Sequence, residues 1–234
     1  LSMQRLCQAM ALALAVIPAS ASALSPTSTQ GDTLKELIDV IEERHYASRR
    51  DDDALSAQHF VAYLDALDPQ RMFFDAADIT EFSSWKLELD NVGRRGNLDP
   101  AFNIFNRYHE KLKRRLESTL ATLPQTLGGF DYELEEYLVI DHSTMPWAPD
   151  AEALDERWRK RLKNQALSLL LADKPAEEIP DTLERRYQNQ LNRLDQYNAQ
   201  DVFQIYANTL AEQYDPHTNY FSPRRAENFD INMS

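Results

Sequence analysis

Apolar residues recur along this chain at the spacing of a helix face. Leu34, Leu37, Ile38 and Ile41 follow the i, i+3, i+4, i+7 rule, with Asp32 placed to cap them. Phe60, Tyr63, Leu64 and Leu67 form a second stripe behind a Ser56 cap. Asp68-Pro69 ends it, because a proline pushes the residue before it out of the helical region. The acidic run Asp51-Asp52-Asp53 is a loop or a helix start, and its carboxylates suit a helix N-terminus. It lacks the glycine and the alternating acids of a calcium loop. Met72, Phe73 and Phe74 read as core plugs, with a substrate groove as the alternative. A third helix opens at Asp75 or Asp78 and turns Ile79, Phe82, Trp85 and Leu89 to one side. After a loop at Gly93, Gly96 and Asn97, Asp99-Pro100 supplies an N-cap and a proline at the first helical position. Ile104, Phe105, Tyr108, Leu112, Leu116 and Leu120 then run down one face.

Pro124 and Gly128-Gly129 break the pattern, and Glu135 to Asp141 leaves room for a short strand. Met145-Pro146-Trp147-Ala148-Pro149 is a second break. Helical spacing resumes from Asp150 with Leu154, Trp158, Leu162 and the apolar run Leu167 to Leu171. Asp181 and Glu184 form a capping-box-like pair ahead of the stripe Leu183, Tyr187, Leu191 and Leu194. A last helix, Val202 to Tyr214, carries Phe203, Tyr206 and Leu210. The fold class is therefore all-α. We expect an irregular multi-helix domain over 32–214, with a subdivision near 124–149 and one short strand segment near 135–141. Residues 24–31 are small, polar and proline-containing and read as a flexible leader.

Composition supports this picture. Glycine is scarce, at 5 residues, and 43% of residues are hydrophobic. The formal net charge of −13 argues against a nucleic-acid partner, since phosphate contacts need a basic footprint. The first 23 residues have the order of a signal peptide: basic Arg5, an apolar run from Ala9 to Ile17 too short to span a bilayer, Pro18, and the small-residue site Ala21-Ser22-Ala23. Cleavage is expected after Ala23, with export to the periplasm and no membrane span remaining. Cys7, the single cysteine, would leave with that segment.

Catalytic chemistry is not legible. His45, His59, His109, His142 and His217 show no H-x-x-x-H spacing, so no metal site is expected, and no dinucleotide or phosphate-loop fingerprint calls for a cofactor. The basic stretch Arg157 to Lys163 alternates with apolar residues and reads as a solvated helix face. Turn chemistry is concentrated at Asp215-Pro216-His217-Thr218-Asn219-Tyr220-Phe221-Ser222-Pro223. Pro216 stops the preceding helix, Ser222-Pro223 reads as a new helix start, and His217 reads as a hydrogen-bonding turn residue. Asp215, Pro216, His217, Thr218, Tyr220, Ser222 and Pro223 are thus expected to form a joint between two bodies of structure.

That string resembles a motif of the C-terminal processing peptidases, serine proteases with a Ser/Lys dyad. Leu64-Asp65-Ala66-Leu67-Asp68-Pro69-Gln70-Arg71-Met72-Phe73-Phe74 followed by Asp78-Ile79, and Trp158-Arg159-Lys160-Arg161-Leu162-Lys163-Asn164, are similar to stretches of the N-terminal domains of the tail-specific members. The resemblance implies a periplasmic endopeptidase that acts on proteins with apolar C-terminal tails. It implies that residues 215–234 lead to a PDZ domain and then a protease domain beyond Ser234, so that this chain holds no catalytic residue of its own. The helical domain would then admit substrate, position the other domains and offer surface to an adaptor protein. The alternative is a stand-alone secreted helical binding module.

Overall fold

A computed structural model describes residues 23–44, 52–142, 145–215 and 217–221. The expected signal segment, with Arg5 and Cys7, lies outside them apart from Ala23. So do Pro216, Ser222 and Pro223 of the expected joint. The regular elements of the described chain are all helices: α1 (Ser28–Arg44), α2 (Asp53–Leu67), α3 (Ala76–Phe82), α4 (Leu89–Arg94), α5 (Asp99–Gly128), α6 (Ala151–Leu171), α7 (Ile179–Leu194) and α8 (Ala199–Tyr214), with short 3-10 turns at Ser83–Trp85 and Ala176–Glu178.

Several helix starts differ from the pattern-based expectation. α1 begins at Ser28, ahead of Asp32, and Leu24 is already tied down by exchanging hydrogen bonds with Asn106 (3.0 and 2.8 Å). Asp52, not Ser56, caps α2 by accepting from the N–H groups of Ala54 and Leu55. Ser56 is buried one turn in, where its hydroxyl donates to the Lys86 carbonyl and accepts from the Leu89 N–H. Asp75 caps α3, with Asp78 completing a capping box. The expected long third helix is broken into α3, the 3-10 turn and α4. Asp99 is the first residue of α5 and not its cap, and its N–H is taken by the Asn97 side chain. Asp181 does not cap α7, which starts two residues earlier at Ile179 with Pro180 in its first turn. Asn198 and Asp201 form a capping box that starts α8 ahead of Val202.

Two larger expectations are overturned. α5 passes through Pro124 instead of ending there. Proline forfeits the bond to the Leu120 carbonyl, but Leu123 and Leu127 on either side are buried, and their packing holds the helix together. The segment 135–141 forms no strand. A ladder needs a neighbouring strand to receive its N–H and C=O groups, and among the described residues the lone β-type contact is the parallel bridge between Asp75 and Ala148.

Buried side chains gather into two cores. The first joins α1, α2, α3, α4, the start of α5 and α8 around Leu34, Tyr63, Phe82, Phe102, Phe203 and Tyr206. The second joins the far end of α5, α6 and α7 around Leu116, Leu123, Trp158, Leu162, Leu183 and Tyr187. α5 serves both. Its 30 residues span about 45 Å at the helical rise, and the change of core falls between Phe105 and Leu116. α1 and the turn after α4 meet at two glycines: a Cβ on Gly31 would lie 2.4 Å from the Gly96 carbonyl oxygen, and Gly96 itself has φ +70. Only glycine permits both the approach and the backbone.

Candidate functional site

The stretch from Leu64 to Phe74 leaves α2 and folds around one carboxylate. Asp68 is fully buried and accepts the N–H groups of Met72 (2.8 Å), Phe73 (2.8 Å) and Phe74 (3.0 Å). Burial pushes its carboxyl above the ordinary value, while the three donors and Arg71 act to hold it down. Asp68 therefore replaces the secondary structure that three successive N–H groups lack. Arg71 adopts φ 53, a left-handed backbone that costs a non-glycine residue roughly 1 kcal/mol. It is held by its neighbours. Its guanidinium lies 2.5 Å from the Asp65 carboxylate and 3.6 Å from the centre of the Trp147 ring, and its carbonyl accepts from Arg157 (2.9 Å).

This loop divides the three apolar residues that follow it. Met72 and Phe74 are core plugs, as the pattern predicted. Phe73 instead turns toward the second core, edge-on to Tyr108 (5.6 Å between centroids) and tilted against Trp158 (6.0 Å). It lines a groove of about 370 Å³ where the two cores meet, walled also by Leu112, Trp158, Leu194 and Tyr197 and bordered by Arg161 and Arg193. Phe73 thus lies on a groove, while its two neighbours are interior.

The stretch from Trp158 to Asn164 supplies the opposite wall. The indole N–H of Trp158 donates to the Thr119 hydroxyl (2.8 Å), which pins α6 to α5. The expectation of a solvated basic face is corrected here. Lys163 is buried and bonded to Glu136, Arg157 donates to the carbonyls of Arg71 and Pro146, and Arg161 lies against Trp158, 5.6 Å from its centre. Residues 157 and 161 follow Leu154 and Trp158 at helical spacing, so their long stems are drawn onto the same face. Burial holds the Arg161 guanidinium below its usual range. Its Nε is buried without a hydrogen-bond partner; among the described residues it forms no ion pair, and Asp68 attracts it only through space.

Between α5 and α6, residues 132–142 form a strap without helix or strand that lies along α6. Glu136 anchors it to both Arg159 and Lys163, whose hydrogen bonds hold the carboxyl down to about 2. Around this anchor Tyr137 is 81% and Ile140 87% exposed. Leu138, Val139 and Ile140 border a second groove of about 390 Å³, which shares Arg161 and Gln70 with the first.

At the far end, the described residues of the expected joint turn back onto the first core. Asp215 ends α8 in an extended conformation, its side chain accepts the His217 N–H (2.7 Å), and its carbonyl accepts the Thr218 N–H (2.9 Å). The His217 side chain is exposed. The Tyr220 N–H donates to Asn208 (2.7 Å), and its ring packs edge-on against Phe203 at 5.2 Å. Phe221 is half-exposed. The joint and the groove are thus separate places, and the structure does not bring their residues together.

Sequence reasoning missed Asp68 as an organiser and Arg161 as an inward-facing cation. The Asp68 role had a signal, an aspartate heading a turn with several unpaired N–H groups downstream. Arg161 had only its spacing from Trp158. Among the described residues, no three His, Cys, Asp or Glu side chains gather as a metal would require, and no helix is long and apolar enough to cross a membrane.

The described body is an all-helical domain with an Asp68-centred loop, and sequence comparison gives its family. The profile of the tail specific protease N-terminal domain matches residues 37–224, and this chain belongs to that family. The tail-specific protease of Haemophilus influenzae is 35% identical over 196 residues, which cover 82% of this chain. The same match covers 28% of the relative's length.

Proposed function

We propose that this chain is the N-terminal helical domain of a periplasmic serine endopeptidase that acts on proteins with apolar C-terminal tails. Its part is to admit substrate, dock an adaptor and position the PDZ and protease domains; catalysis belongs to a Ser/Lys dyad elsewhere in the whole protein. Export would follow cleavage of a signal peptide after Ala23. Asp215, Pro216, His217, Thr218, Tyr220, Ser222 and Pro223 would form the joint to the next domain. The observation that carries this reading is the family match over residues 37–224, supported by the place of each motif in the fold. One motif builds the Asp68 loop, another the facing wall of α6, and the third the exit from α8.

The test is proteolysis of an unfolded protein with an apolar C-terminus, by the full-length enzyme and by this 234-residue chain alone. The full-length enzyme should cleave it, and should lose that activity when its nucleophilic serine is replaced. The chain alone should be inactive. Cleavage by the purified chain would overturn the division of labour.

A further inference from the structure

The two grooves that share Arg161 have a composition unlike the rest of the surface. The chain is strongly acidic, at −13, yet the one acid lining these grooves, Asp68, acts on Arg161 only through space and forms no ion pair with it. Arg161 has no ion pair among the described residues, and Arg193 stands exposed at the rim. Asp68 also borders the first groove, but its carboxylate is spent on three backbone N–H groups. On one side of Arg161 lie the rings of Phe73, Trp158 and Tyr197, and on the other the exposed Val139 and Ile140 of the strap. A half-buried guanidinium with no ion pair among the described residues, flanked by apolar surface on both sides, is complementary to a carboxylate flanked by apolar side chains.

Two kinds of carboxylate could meet that description, and the backbone separates them. Chain-terminal carboxylates are captured by nests of backbone N–H groups. The N–H groups of residues 72–74 would form such a nest, and Asp68 already occupies them. What remains is a guanidinium fork, the usual partner of an acidic side chain.

We infer that the paired grooves around Arg161 bind an internal acidic–apolar segment of a partner polypeptide, with an Asp or Glu side chain on Arg161 and a large apolar residue on each side. This deepens the docking role proposed above and rests on it for its biological setting, while the binding itself belongs to this chain. Phe73 and Trp158 receive one apolar side chain, and Val139 and Ile140 the other. Arg193 adds attraction at the rim.

The probe is a fluorescent, N-acetylated and C-amidated nine-residue peptide with Phe-Glu-Leu at its centre, followed by polarisation on the 234-residue chain. Saturable binding is expected, weakened at least tenfold when the central Glu is Gln, and weakened as much by Arg161→Gln. Because Arg161 is partly buried, Arg193→Glu at an exposed position serves as the second variant; it should weaken binding several-fold with an unchanged melting curve. Equal binding of the Glu and Gln peptides, no saturable binding, or indifference to both variants would overturn the inference. A peptide that binds only with a free terminal carboxylate and no internal acid would assign the grooves to chain ends, which also overturns it. Proteolysis by full-length enzyme that persists while the peptide fails to bind would leave the domain's proposed place in a protease standing and remove only this site.

Discussion

The two cores of this domain are built by different means. The first is closed: helices surround it, and three of them, α2, α3 and α8, begin at side-chain caps. Aromatic rings fill it, with Tyr63 edge-on to Tyr206 (5.2 Å) and His59 tilted against the same ring (4.5 Å). The second rests on three helix segments; Asp150 caps α6, and α7 starts without a side-chain cap. One of its sides is the groove beside Phe73 and Arg161. The unmatched cation, the exposed apolar strap and both grooves fall on the open side. A closed core can carry stability for a neighbour that keeps apolar and charged surface available to a partner.

The largest test of this contrast is to empty each core. Phe102→Ala in the first should cost about 4 kcal/mol in urea unfolding and release the whole domain in one transition. Leu183→Ala in the second should cost about 3 kcal/mol by the same principle, with hydrogen exchange accelerated first in α6 and α7. A single transition with uniform exchange in both variants would show that the two cores open as one.

Next come two effects of about 3 kcal/mol. Asp68→Ala leaves three N–H groups without their acceptor, and the summed desolvation should lower stability by about 3 kcal/mol. Asp68→Asn, which keeps one oxygen, should lose about half of that. If the alanine variant melts like the parent, water or a new turn replaces the carboxylate.

The second is a pH effect. His59 is buried, with Nε2 3.1 Å from the Tyr206 carbonyl oxygen, so that nitrogen carries the proton of a neutral ring. Burial holds its pKa down to about 4, against the Tyr206 contact, which acts to raise it. In the unfolded chain the ring titrates near 6.5. As pH falls from about 6.5 to 4 the unfolded state binds a proton that the folded state refuses, so stability drops by about 3 kcal/mol, levelling off below pH 4. Above 6.5 this group contributes no pH dependence. Urea midpoints between pH 8 and 4 should show the loss, and His59→Gln should flatten it.

The smallest expected effect concerns the joint. Tyr220 packs at the edge of the first core, so Tyr220→Ala in this chain should cost about 1 kcal/mol. In the full-length enzyme the same change should reduce proteolytic rate more than that loss explains, if the joint also couples domains. Equal losses in both would make Tyr220 a residue of the helical core alone.

Much of this was legible in the chain. The stripes of Leu34, Phe60, Phe105, Leu183 and Phe203 gave the helices and their buried faces, because burial of a periodic apolar face is the main source of helix stability in a protein. The end of α8 at Asp215 was marked by the proline that follows it in the sequence. Helix starts were less legible: a cap is one hydrogen bond, and several polar residues near each start, such as Asp52 and Ser56, compete for it.

What the sequence determined by itself is the helical class, the family and the order of its motifs, since each depends on residues close together in the chain. Only the tertiary structure decided that α5 runs through Pro124 and that residues 135–141 stay unpaired. It alone turned Arg161 inward and set Phe73 on a groove while Met72 and Phe74 were buried. The physical reason is common to all four. Whether a proline is tolerated, a strand finds a partner, a cation is drawn inside or a ring stays at a surface depends on which side chains arrive from distant parts of the chain. Here those partners are Leu183 and Tyr187, which share the second core with Leu123, Lys163 bonded to Glu136, and Trp158 against Arg161.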